Sequence, residues 1–169
     1  TDMNRTVRRT LRASAVLALA FSGLAAPAQA GFIGINISGT LYNIDGSGTG
    51  TVLASSGAGS ANAMARDSAG NIIVNGGGNP TRFYDIDPLS GAGTLAGTVP
   101  TAFSVRGLAY DSADQLFAVV DGGTTSAPDR LYTIDLGTSS RTLIGTNLGF
   151  TNIQGLAFNG TTMYGWSIT

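Results

Sequence analysis

The chain has no Cys, His, Lys or Glu, so all ten acids are Asp and all nine bases are Arg. Without Cys there is no disulfide framework, and the fold rests on packing and strand pairing. The same absences exclude a thiol nucleophile, a Ser-His-Asp triad, a Schiff-base lysine and a His/Cys zinc site within these residues. What remains for chemistry is Asp, Arg, Tyr, Ser, Thr, Asn and Gln. That set suits the binding of sugars, polar small molecules or calcium, and makes a thin catalytic kit.

The first thirty residues read as an export signal, preceded by Thr1 and Asp2 before Met3. Arg5, Arg8, Arg9 and Arg12 form a positive start, and "ASAVLALAFSGLAAP" is an apolar run too short to cross a bilayer. Ala28-Gln29-Ala30 then offers the small residues a signal peptidase needs, which predicts cleavage before Gly31 and a secreted, periplasmic or cell-surface protein. The Arg8-Arg9 pair faintly resembles the twin-arginine export route, but ordinary leader arginines explain it. No membrane span is expected after cleavage. Residues 31–169 hold nine Asp and five Arg, a formal charge of −4 that argues against nucleic acid or an anionic membrane as partner.

Four short segments recur in a fixed order. "AMARD" at 63–67 returns as "GLAYD" at 107–111 and "GLAFN" at 155–159. "IIVNG" at 72–76 returns as "LFAVV" and "MYGWS", and "LYNID" at 41–45 as "FYDID" and "LYTID". The fourth segment is "TVLAS", then "TLAGT", then "TLIGT". Each is rich in β-branched, aromatic or aliphatic residues and is separated from the next by turn chemistry. Four strands per ~40–50 residues is the pattern of a β-propeller blade; solenoid coils are shorter, and a sandwich need not repeat its motifs in order. In "LYTID", Tyr132 and Ile134 should face one side and Leu131 and Thr133 the other, as in a sheet covered on both faces.

The expected fold is therefore all-β: an incomplete β-propeller over residues 31–169, about 3.5 blades after the signal peptide of residues 1–30. "FIGINIS" at 32–38 reads as a second strand, so the first blade lacks its innermost one, and "MYGWSIT" is a second strand with no third. Two full blades lie between these partial ones. Since a ring needs about four to eight blades, the chain is expected to belong to a longer reading frame. A later segment would complete the first blade, and the full-length protein would be monomeric.

The stretch "GLAYDSADQLFAVVDGG" followed by "DRLYTIDLGTSSRTLIGT" resembles the blades of bacterial exported propellers with G-L-A-x-D and L-Y-x-I-D repeats. Some of those carry a PEP-CTERM sorting signal. The layout is also similar to NHL-repeat and gluconolactonase-like propellers. The resemblance covers Leu41 to Thr169 and implies the fold and the export; the function expected is a secreted, non-enzymatic module that binds a polar ligand or protein through its long-loop face. Its gluconolactonase-like side implies instead a calcium-dependent lactone hydrolase with catalytic residues in further blades, and its sorting-signal side a structural surface or matrix protein.

Candidate site residues follow from position. Asp45, Asp87 and Asp135 close the third-to-fourth strand turns, and Asp67, Asp111 and Asn159 the first-to-second turns. These six are read as structural, on one end of the sheets, and the Asp85/Asp87 pair likewise. The longer, more variable loops fall on the opposite end, where function is expected. There Asn62, Arg106 and Gln154 occupy one repeat position with three different residues, as ligand-contacting positions would. Asp121, Asp129 and Arg130 flank the longest loop. Calcium is conceivable there as a hard cation wanting oxygen ligands, but "DGGTTSAPD" lacks regular D-x-D spacing, so no cofactor and no metal site are expected. Tyr164 and Trp166 are expected in the core.

Overall fold

The computed structural model describes residues 32–100, 104–123 and 126–168, so the expected signal peptide lies outside the described residues. Those residues form thirteen strands in four antiparallel sheets, with strands paired in chain order and no helix. The first sheet holds β1 (Phe32–Ile35), β2 (Thr40–Ile44) and β3 (Gly50–Ser55). The second holds β4 (Met64–Arg66), β5 (Ile72–Asn75), β6 (Thr81–Ile86) and β7 (Gly93–Val99). The third holds β8 (Val105–Tyr110), β9 (Leu116–Val120), β10 (Arg130–Asp135) and β11 (Ser140–Ile144). The fourth is the pair β12 (Ile153–Asn159) and β13 (Thr162–Ser167). Every segment singled out in the sequence falls on a strand, and no sheet closes on itself.

Successive side chains of a strand point to opposite faces, and the second sheet uses both. Ile72 and Val74 of β5, with Ile86 of β6, meet Leu41, Ile33, Ile35 and Leu53 of the first sheet. Ile73 of β5 and Phe83 of β6 turn the other way, toward Leu108, Leu116, Ala118, Val120, Tyr132 and Ile134 of the third. Burying one such side chain fully contributes about 1.5–3 kcal/mol. A sheet covered on both faces needs near-continuous apolar runs, which is why "IIVN" and "LFAVV" show little polar alternation.

Neighbouring sheets also touch through their first strands, β4 against β8 and β8 against β12. At the second contact the backbones are so close that a Cβ on Gly107 would lie 2.8 Å from the Gly155 carbonyl carbon. Glycine is required there by space. On the same interface the rings of Phe117 and Phe158 sit 5.3 Å apart at 60°, a tilted geometry aromatic pairs favour.

Tight turns join the strands at one end. Asp45 accepts from the Ser47 and Thr49 N–H groups at 2.8 and 3.0 Å, and Asp87 from Leu89 at 2.9 Å. Asp135 accepts from Thr138 at 3.0 Å, Asp67 from Asn71 at 2.8 Å, and Asp111 from Ala113 and Gln115, both at 2.9 Å. Asn159 ends β12 paired with Thr162, across a turn in which Gly160 has φ +60°. Gly70 and Asp114 occupy equivalent turn positions, with φ of 95° and 58°. Aspartate tolerates this left-handed conformation better than most residues. Here its carboxylate also reaches the preceding sheet, accepting from the Ser68 N–H at 2.8 Å and Oγ at 2.6 Å.

Two aromatic residues expected in the core are uncovered among the described residues. Tyr164 and Trp166 lie on β13 but are 57% and 71% exposed. Their strand neighbours Met163 and Gly165 face the third sheet beside Leu131 and Leu156. The alternation therefore sends Tyr164 and Trp166 to the outer face of the fourth sheet, which no described residue covers.

The turn carboxylates are held below the usual carboxylate range by hydrogen bonds: chiefly the Ser47 side chain at Asp45, Asn71 at Asp67, Ser90 at Asp87 and Thr138 at Asp135. A carboxyl whose folded-state value is depressed stabilises above its unfolded pKa, and that contribution is lost as pH falls through the folded value. Stability should therefore fall below about pH 4. The triple variant Asp45→Asn, Asp87→Asn, Asp135→Asn should show a flatter acid limb in urea midpoints measured from about pH 2 to 6. Superimposable limbs would contradict this.

Candidate ligand-binding mouth

Antiparallel pairing fixes which groups share an end of the sheets. The starts of β4, β8 and β12 lie beside the ends of β5, β9 and β13, opposite the Asp-bearing turns. Hydrogen bonds between sheets join like ends. Ser68 and Asp114 pair at the turn end, while the Ile153 N–H donates to Asp129 Oδ2 at 2.7 Å at the other.

At that second end a small pocket of about 170 Å³ is lined by Asn62, Arg106 and Gln154, together with Gly107 of β8 and Gly155 of β12. The three residues that share one repeat position thus share one cavity. Local backbone structure explains the convergence. Val105 pairs with Val120 and Gly107 with Val119, leaving Arg106 as the extra residue of a bulge. Gln154 is the extra residue between Ile153 and Gly155 in the same way. A bulge inserts one unpaired residue and re-aims its side chain. In the second sheet an amide does the corresponding work. The buried Asn75 Oδ1 accepts from the Asn62 and Ala63 N–H groups at 3.1 and 2.7 Å, fixing the approach to β4.

Arg106 is the one cation lining this pocket. Its Nη2 donates to Asp121 Oδ2 at 2.8 Å, with the two side chains 34% and 29% exposed. The Arg106 hydrogen bond, followed by the Gly123 N–H, holds the Asp121 carboxyl below its ordinary range. A pair this accessible contributes only about 0–1 kcal/mol to stability, so its main effect is to orient the guanidinium. Among the described residues the Arg106 Nε is buried without a hydrogen-bond partner. A buried donor normally has one.

The other loop residues divide. Asp121 joins the mouth through Arg106. Arg130 is exposed at the start of β10 and does not line the pocket. Asp129, expected among the ligand contacts, is instead 2% exposed. Its carboxylate accepts from Ile153 and from the Gly122 N–H at 3.3 Å, while its backbone exchanges bonds with Leu148 and Phe150. It ties the third sheet to the fourth and has no free face for a ligand. Among the described residues no three acidic side chains gather as a metal shell.

Three larger clefts lie elsewhere. One of about 510 Å³ sits between β1 and β4, lined by Phe32, Ile33, Met64 and Arg66 among others. An apolar one of about 400 Å³ lies between the third and fourth sheets, beside Leu131, Phe150 and Met163. The third, about 290 Å³ at the turn end, takes its polar lining from the third sheet alone, with Tyr110, Asp114, Gln115 and Asp135. None of the three gathers polar side chains from three successive sheets, so the smaller mouth is the better candidate. A scan against protein-family models and a search of curated proteins found no match to this chain.

Removing the Asp129 carboxylate should leave the Ile153 N–H buried without an acceptor. Asp129→Ala is expected to cost about 1–3 kcal/mol in urea unfolding, with Asp129→Asn costing less because its Oδ1 still accepts. Unchanged midpoints in both variants would show that Asp129 does not tie the sheets together.

Proposed function

We propose that the chain is part of a secreted β-propeller that binds a small polar ligand, without catalysis, at the mouth formed by Asn62, Arg106 and Gln154. In this reading the four sheets are successive blades with β4, β8 and β12 as inner strands. The outer faces of the first and fourth sheets, with Phe32 and Val52 on one and Tyr164 and Trp166 on the other, are where further blades stack. The cleft beside the edge of β1, which no described strand pairs, is where an inner strand of the first blade would sit.

The observation that carries the reading is the shared pocket. Three equivalent positions carry different polar residues, two of them on bulges, and all three line one cavity at the long-loop end. Binding is favoured over lactone hydrolysis because the loop carboxylates are already engaged, Asp121 by Arg106 and Asp129 by backbone N–H groups. The arginine-bearing leader and the Ala28–Ala30 motif support export. The overall acidity supports a small ligand or protein partner over a polyanion.

The test is protein-observed NMR with a panel of sugars, hydroxy acids and amides. Perturbed resonances should cluster on Asn62, Arg106 and Gln154, and Arg106→Ala should weaken binding at least about tenfold, as expected for losing a charged hydrogen-bond donor. Perturbations confined to the turn end, or unaltered affinity in Arg106→Ala, would refute the assignment.

A further inference from the structure

Arg106 combines features that define the ligand more closely. A guanidinium carries five N–H donors and accepts nothing. One nitrogen of Arg106 is committed to Asp121, while Nε is buried with no partner among the described residues. The neighbouring lining residues Asn62 and Gln154 add side-chain amides that can donate as well as accept. The pocket, about 170 Å³, has room for roughly five waters at ~30 Å³ each. A group of two to four heavy atoms fits, with the rest of its molecule extending toward the loops.

We propose that the mouth recognises the carboxylate of a small organic acid, with Arg106 as its charged donor; this rests on the reading of the mouth as a ligand site. A carboxylate offers two oxygens to a forked donor, and hydrogen bonds between ionised partners are about twice as strong as neutral ones. Asp121 opposes this, because its own carboxylate already neutralises the arginine. Asp121 therefore sets the affinity: it orients the guanidinium and competes with the incoming anion. The ligand chemistry is a single carboxylate, since one cation lines the pocket and the chain as a whole is acidic.

Acetate and acetamide provide the test, because they match in size and differ in charge. The Arg106 Nε–H resonance of the full chain is followed as each is added at constant ionic strength. Acetate should shift it saturably, at least about fivefold more tightly than acetamide, as the charged bond is the stronger. Asp121→Asn should tighten acetate binding several-fold and leave acetamide nearly unchanged. Equal binding of both compounds at Arg106 would overturn the carboxylate assignment and leave the mouth as a polar-ligand site. No shift from either would overturn the carboxylate assignment, and if the wider panel also leaves Asn62, Arg106 and Gln154 unmoved, the binding reading falls with it. The wild-type titration is decisive even if Asp121→Asn does not fold.

Discussion

Sheets stacked face to face through their first strands set the terms for the rest of this molecule. With no disulfide available, burial between sheets is the principal cohesive force, and the second sheet gives up both faces to it. That requirement explains apolar runs in β5 and β9 and fixes glycine at 107, where β8 and β12 come too close for a side chain. Polar residues are then left for the two ends. Each end is specialised, because antiparallel pairing puts the Asp-bearing turns on one side and the longest loops on the other.

The turn end is organised by aspartate acting on its own backbone. Asp45, Asp67, Asp87, Asp111 and Asp135 each accept from N–H groups two to four residues on. Such carboxylates have little capacity left for a ligand. At the long-loop end, by contrast, bulges turn Arg106 and Gln154 out of register, and Asn75 fixes Asn62 beside them. Where each sheet spends its polar groups thus separates the structural end from the end that can bind.

Strand positions and the count of three, four, four and two strands were readable in the sequence, because the repeat marks each strand by composition and order. The turn aspartates were readable too, since Asp followed by Gly, Ser or Pro has a local physical meaning. Other features were not. Strand alternation says that Tyr164 and Trp166 share a face but not whether anything covers it. Asp129 looked like a loop acid, and its burial depends on the Ile153 N–H of another sheet. The one signal was its repeat equivalence to the buried Thr81. A bulge leaves no composition mark, so the reason why Arg106, Gln154 and Asn62 meet was invisible although their shared position was not. Asn75 stood out only as a polar residue at the end of an apolar run, and its role in holding Asn62 was missed.

The central claim is that successive sheets meet through their first strands closely enough to bring these side chains together. The most direct measurement is the nuclear Overhauser effect between the α-protons of Gly107 and Gly155, residues in different sheets whose backbones approach too closely for a Cβ. The account predicts a strong cross-peak in the folded protein. Its absence, in a spectrum that retains the cross-strand peaks of β8 with β9 and of β12 with β13, would contradict the stacking and the mouth built on it.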